Sequence, residues 1–475
     1  MTPTFKNNSL PADDRRAVAR NQCWLGKKFN LLVALFALNA AISRTIAAPA
    51  AAESIPSRDT PAHVAALRFM RGINLGNDLE YAAGNGAGGL TYSAADFDLI
   101  RAEGFDHVRI PVAWHLYAGP APNFTITNSI FTRADALVNN ALNRGLAVLL
   151  DLHHFNEFTA KPTANTNEFY AIWKQVAAHY ASRPANFALE LLNEPNDAAT
   201  TTVLNPIYAE TIRLIRLTNP GRTIFVGPGE FNSIDQLSFL SLPKTDLNLI
   251  VTVHCYDPYY FTHQGAEWAL PDTAITGVLF PGPPTLPIPA TDLTQKKITH
   301  TWVFDWFKDY NVKPTSVNPS SSFAFRAKLQ RAKTWSDRVG RPIHVGEFGC
   351  YEKADAQSRV NFYREIRTQM ETLGLGWAMW DWKAGFHYIK NGRPEPAGMR
   401  DAMFPPPVLN SPALGSFEIQ GAAGKSYRVS RTPSLSAPID WTAIATQMLT
   451  APVMIFNDVD ATNQAGGYYR VEWLK

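Results

Sequence analysis

Phe187-Ala188-Leu189-Glu190-Leu191-Leu192-Asn193-Glu194-Pro195 is an apolar run broken by one carboxylate and ended by a second. Its apolar residues do not alternate with polar ones, so as a strand it must be covered on both faces, the condition of a parallel sheet wrapped by helices. The strand is expected over 187–192, and similar short runs occur at 72–75, 108–111, 147–152, 223–226, 249–254, 343–345 and 377–380. Between them, residues 94–103, 133–144, 167–180 and 357–373 place apolar side chains at helical spacing and supply the crossovers that parallel strands require. A doubly wound open sheet would carry a glycine-rich phosphate turn after its first strand, and Asn74-Leu75-Gly76-Asn77 is no such turn. The expected fold is therefore α/β, a closed (β/α)8 barrel.

The chain of 475 residues exceeds what a barrel of roughly 250 to 350 residues needs. After Pro405-Pro406-Pro407 the texture changes to short alternating runs at 416–420, 426–430, 453–456 and 468–473, the pattern of an antiparallel β module. The expected division is a barrel domain over 63–405 and a small, β-sandwich-like module over 406–475, which has no cysteine staple and should lean on the barrel. Between the sixth and seventh strands, prolines 281, 283, 284, 287 and 289 predict a long loop insertion over 269–322, overhanging the barrel mouth. At the N-terminus Arg15, Arg16, Arg20, Lys27 and Lys28 precede an apolar run at 29–42 and small residues at 47–52. That pattern predicts a targeting segment over 1–52 and a linker over 53–62, hence a secreted or periplasmic protein. The run is shorter than the ~20 residues of a bilayer span, so no membrane span is expected in the mature form.

Charged residues are 18% of the chain and aromatics 12%, a balance that favours a packed core and stacking surfaces over a polyelectrolyte partner. No basic run interleaved with aromatics argues for nucleic acid. Cys23 precedes the apolar run, and Cys255 and Cys350 are expected as free, partly buried thiols. A monomer is expected.

In a barrel, side chains at the carboxyl ends of the strands converge on one mouth. Glu194 after the fourth strand and Glu347, in Val345-Gly346-Glu347-Phe348-Gly349 after the seventh, would face each other there. Two carboxyls ~5 to 5.5 Å apart can cleave a glycosidic bond with retention, one as proton donor and one as nucleophile. Taken singly, Glu194 could be a helix-start carboxylate beside Pro195 and Glu347 a turn residue between glycines. Arg109, in Val108-Arg109-Ile110-Pro111, would hold Glu347 ionised. Glu190 shares strand parity with Glu194 and needs an inward partner, Arg71 or Arg109. Asn193 could donate to a sugar hydroxyl. His153 and His154 end the third strand, and His254 and Tyr256 the sixth. None of these histidines forms a recognised metal-ligand spacing, so no metal or other cofactor is expected; neutral imidazoles suit sugar hydroxyls. Trp380 ends the eighth strand and would stack on a pyranose ring, with Trp114, Trp268 and Trp382 either extending that platform or belonging to the core.

As an ordered set, Arg71-Gly72-Ile73-Asn74-Leu75-Gly76-Asn77, Val108-Arg109-Ile110-Pro111, Asp151-Leu152-His153-His154, Leu192-Asn193-Glu194-Pro195, His254-Cys255-Tyr256-Asp257-Pro258, Phe261-Thr262-His263-Gln264-Gly265-Ala266-Glu267-Trp268 and Gly346-Glu347-Phe348-Gly349 resemble glycoside hydrolase family 5, the cellulase-like retaining barrels. The resemblance spans roughly 64–405. It implies that Glu194 is the acid/base and Glu347 the nucleophile, with Arg109, His153, Asn193, His254, Tyr256 and Trp380 completing the site and Tyr256 bonded to the nucleophile. It also implies sugar contacts from Asn77, Glu80, His154, His263 and Trp268. Cys255, where an aromatic is usual, and the long insertion depart from the pattern. The implied activity is endo-hydrolysis of a β-1,4-glucan, with a β-mannanase or xyloglucanase on the same core, or a non-catalytic carbohydrate-binding barrel, as alternatives.

Overall fold

The computed structural model describes residues 59–81, 89–413, 415–421, 424–436, 438–451, 453–459 and 467–474. The expected targeting segment, Cys23 and most of the expected linker lie outside them. Eight parallel strands close into a barrel in sequence order: β1 (Arg71–Asn74), β2 (His107–Ile110), β3 (Ala147–Asp151), β4 (Phe187–Glu190), β5 (Ile224–Val226), β6 (Leu249–His254), β7 (Ile343–Glu347) and β8 (Gly376–Met379). All their residues are buried, as uninterrupted apolarity requires.

Alternation along each strand sorts the side chains into two layers. Val108, Ile110, Val148, Leu150, Leu189, Val251 and Val253 face outward into the large core shared with the helices. Leu149, Ala188, Phe225 and Ile250 face inward and pack with Ala62, Ala65 and Phe69. The last two groups close the lower barrel: the helix Pro61–Ala66, capped by the Thr60 hydroxyl, lies there with its Ala62 amide bonded to the Leu247 carbonyl. This helix begins inside the stretch expected to be linker.

Two expectations need correction. The fourth strand stops at Glu190 instead of 192, so Glu194 sits in the following loop with φ of 44°. The insertion is not all loop: its proline-rich part is irregular, but Ala290–Gln295 and Thr301–Val312 are helical, since prolines are absent from both. Phe280 anchors it against the outer helices, its ring on Phe325 and Phe362 and its amide donating to Ser358. Of the two readings open for Trp114 and Trp382, the structure gives the core one: both are fully buried, their indole N–H groups donating to the Asp151 carbonyl and the Asp96 carboxylate.

Beyond the barrel a short ribbon pairs β9 (Ile389–Lys390) with β10 (Arg393–Pro394). Two antiparallel three-stranded sheets follow, β11 (Val408–Ala413), β12 (Ser416–Gln420) and β15 (Val453–Asn457) in one, and β14 (Thr442–Met448), β13 (Ser426–Thr432) and β16 (Tyr468–Leu474) in the other. They enclose a small core of Ile419, Tyr427, Val429 and Leu449. Among the described residues Cys255 and Cys350 are buried free thiols, and no helix is long and apolar enough to cross a membrane.

Candidate functional site

Inward parity brings a row of polar residues to the carboxyl ends of the first four strands: Asn74, Arg109, Asp151 and Glu190. Arg109 is wholly buried at their centre. Its Nε and Nη2 donate to the two Glu190 oxygens at 2.8 Å each, Nη2 also to Asn193 Oδ1 at 2.8 Å, and Nη1 to Asn74 Oδ1 at 2.9 Å and Glu347 Oε1 at 2.8 Å. The five N–H donors of a guanidinium therefore meet five acceptors, with Asp151 Oδ2 a further 2.6 Å ion-pair neighbour of Nη2. Arg71, the other candidate partner for Glu190, points outward from β1 and pairs with Glu371 at 2.7 Å, because its strand parity is opposite to that of Asn74.

The two glutamates singled out in the sequence do meet. Their nearest ligand-capable oxygens and His254 Nδ1 all lie within 4.8 Å of one another, His254 Nδ1 being 2.8 Å from Glu194 Oε1 and 3.7 Å from Glu347 Oε2. Glu347 reaches this place through a register slip: Val253 pairs with Val345, but His254 pairs with Glu347. Val345 packs outward and His344 inward against Phe225, so strict alternation would have turned Glu347 outward, and the bulge re-aims it. Gly346 has no room for a side chain there, since a Cβ would lie 2.5 Å from Thr252 Oγ1 and 3.2 Å from His254 Nε2.

Their environments differ. Glu347 is buried and accepts from Arg109 on one oxygen and from the Tyr256 hydroxyl, at 2.8 Å, on the other. Glu194 is half-buried, and its side chain is held by His254. Burial raises both carboxyls to about 7, Arg109 and His254 pulling Glu347 back down and Glu194 pushing it up. Burial, with the nearby Arg109, holds His153 well below the ordinary imidazole range. Its Nδ1 therefore carries the proton it donates to Asp151 Oδ2 at 3.0 Å, and its ring lies parallel to Trp380 at 5.7 Å. Arg109 also fixes the Asn193 amide with Oδ1 toward the guanidinium, leaving Nδ2 for another acceptor.

The outer candidates divide. Trp268 is 56% exposed and lies edge-on to Tyr351 at 5.0 Å and near Phe386 at 6.1 Å. His263 stacks on Tyr259 at 4.4 Å and meets Tyr256 at 4.9 Å; burial lowers its pKa to about 3, so it is neutral. His154 is exposed, with φ of 52°, against His153 and Tyr81. Asn77 is half-buried. Glu80 is buried and turned back on its own loop, accepting from the Asn77 and Asp78 amides, so it shapes the loop that presents Asn77. Sequence reasoning did not single out Asn74 or Asp151 for the site, although their inward parity at strand ends was a readable signal. Tyr259 opens the short helix Tyr259–Thr262, Tyr351 and Phe386 lie on loops, and none of the three gave such a signal.

Glu194, His254 and Glu347 are the described residues whose ligand atoms cluster closely enough to hold a metal ion. The positive charge that balances them here is Arg109. Chemically, the arrangement offers one carboxyl under two donors and a second hydrogen-bonded to an imidazole, with the Trp380 ring beside His153.

A family model described as Cellulase (glycosyl hydrolase family 5) matches residues 76–385. Among curated proteins the chain is 28% identical over 333 residues to Endoglucanase H of Acetivibrio thermocellus and 28% identical over 353 residues to Endoglucanase 3 of Fibrobacter succinogenes. Those matches take 69% and 70% of this chain, and they span 31% and 52% of the two relatives. Solved structures of Thermotoga maritima Cel5A superpose on 72% of this chain and 99% of theirs. The complex with mannotriose gives a TM-score of 0.60 at 31% identity, and the complex with cellobiose 0.61 at 32%.

Proposed function

The chain belongs to glycosyl hydrolase family 5, and from that premise we propose that it is a secreted endo-β-1,4-glucanase acting with retention of configuration. The observation that carries the reading is the pair of carboxyl oxygens within 4.8 Å. Oxygens that close support a double displacement, in which the two carboxyl groups stand only ~5 to 5.5 Å apart.

Roles follow from the hydrogen bonds. Glu347, under Arg109 and Tyr256, is the group kept ionised, and it attacks the anomeric carbon. Glu194, lacking a direct cationic partner, carries the proton and delivers it to the leaving oxygen as the glycosyl–enzyme bond forms. It then removes a proton from water, whose oxygen displaces Glu347 from the anomeric carbon and restores both groups. His254, 2.8 Å from Glu194, orients that carboxyl. Asn193 Nδ2 and His153 Nε2 are the polar atoms available to sugar hydroxyls, with Trp380 beneath the ring. Outward, Trp268, His263 and Asn77 extend the groove, and Glu80 and His154 support its rim.

β-Mannan is the second reading, favoured by the mannotriose complex of the similar Thermotoga maritima Cel5A. Reducing-end release by the purified protein on carboxymethyl cellulose, barley β-glucan, glucomannan and galactomannan, beside Glu347→Ala, decides between them. Release from the glucans that vanishes in the variant is expected. Release mainly from galactomannan would move the substrate to mannan, and silence on all four from folded protein would overturn the reading in favour of a binding-only barrel.

A further inference from the structure

We propose that the C-terminal β module is a base plate whose docking partner is the amino-terminal face of its own barrel, and that it is not a polysaccharide-binding appendage. Trp473 on β16 belongs to two cores at once. It packs on the module's own Tyr427 and Val429 cluster and on the main core of the barrel. Its ring lies parallel to Phe404 at 6.1 Å, and the Arg71 guanidinium sits 5.6 Å from both rings. The barrel is shaped to receive it: Gly104, which ends the helix Ala94–Glu103 at φ of 114°, has Trp473 where a Cβ would be, 2.1 Å away.

A second contact fixes the register. Lys425, at the start of β13, places Nζ 2.6 Å from Asp106 Oδ2, and each side chain is only 10% exposed. Asp106 also accepts from the Arg71 amide at 3.0 Å and from His107 Nδ1 at 2.6 Å. Removing either partner of a buried pair strands the other charge, so this contact permits one seating of the module. Gly424 beside it approaches the Leu67 carbonyl so closely that a Cβ would lie 2.7 Å from that oxygen. The module therefore grips β1 and β2 at Arg71 and Asp106, three residues before Asn74 and Arg109.

What the module leaves to solvent does not suit a sugar chain. Trp473 is taken by the barrel, and Trp441 lies under the Arg470 guanidinium at 4.6 Å. Among the described residues, the exposed large apolar side chains of the two sheets are Val408, Ile444, Met448, Val453 and Ile455, with Tyr468 as a ring at the edge. Flat stacking on a polysaccharide needs a row of rings.

The test uses the full chain and three variants, Trp473→Ala, Lys425→Met and Tyr468→Ala, with calorimetry, near-ultraviolet circular dichroism of the barrel tryptophans and retention on microcrystalline cellulose. Trp473→Ala and Lys425→Met are expected to lower the barrel Tm by at least about 3 °C with cellulose retention unchanged, and Tyr468→Ala to change neither. Should Trp473→Ala fail to fold, Lys425→Met decides alone. A barrel transition unmoved in Lys425→Met, or retention lost in Tyr468→Ala at unchanged Tm, would overturn the proposal. None of these readouts requires turnover, so they separate this inference from the assignment of substrate.

Discussion

At the scale of single residues, the site is governed by how one buried guanidinium is shared. Arg109 holds Glu190 through two hydrogen bonds and Glu347 through one, while Asp151 adds charge behind them. Arg109→Met would leave these carboxylates without their cation. It should cost about 3 to 5 kcal/mol in urea unfolding and abolish turnover. The pair Glu194 and Glu347 sets the pH behaviour. With the roles proposed above, turnover needs one proton on the pair, so kcat/KM should fall as the last proton leaves above about 7 and again in acid as the second is added. The same raised pKa values work against the folded state in alkali. A carboxyl whose folded pKa of about 7 exceeds its ordinary 4.5 contributes stability that is whole below 4.5 and is lost as pH rises through 7. Glu194→Gln should therefore melt above the wild type at pH 8, with the gap closing toward pH 5 in a series of melting scans. The meeting of Glu194 and Glu347 was legible because carboxylates ending apolar runs are conspicuous. Asn74 and Asp151 were less so, since a polar residue closing a strand is also an ordinary way to leave the core.

At the scale of elements, one irregularity in β7 matters most. The slip at Gly346 turns Glu347 into the barrel, and Thr252 and His254 close over the glycine. Gly346→Ala should displace the His254 ring, lower kcat by at least about tenfold and cost about 1 to 3 kcal/mol of stability, measured by steady-state kinetics and denaturant unfolding. Nothing in the run 343–345 announces a bulge, because the signal lies in pairing with β6 and not in composition. The loop rings are the opposite case. Trp268 was visible in sequence, yet its neighbours Tyr351 and Phe386 come from loops after β7 and β8. Being exposed, Trp268→Ala should leave stability within about 0.5 kcal/mol and raise KM about three- to tenfold with kcat little changed. A kcat loss of equal size would place the ring against the reacting sugar.

At the scale of the whole molecule, the chain combines a barrel closed in sequence order with a module seated beneath it. The basic residues and apolar run before residue 52 predict that export removes a leader; intact-mass measurement of protein recovered outside the producing cell should give a mass starting near residue 53, and an uncleaved Met1 form would refute it. The sequence by itself determined the barrel, because strands buried on both faces have to be continuously apolar and their helices have to recur between them. It also determined the two glutamates, because chemistry at a strand end needs particular functional groups there. Tertiary structure alone decided which cation Glu190 received, where β7 slipped, which tryptophans were core and where the module sat. Those depend on strand parity, register and shape across a closed surface, and such contacts join residues hundreds of positions apart whose local sequence carries no mark of the partner.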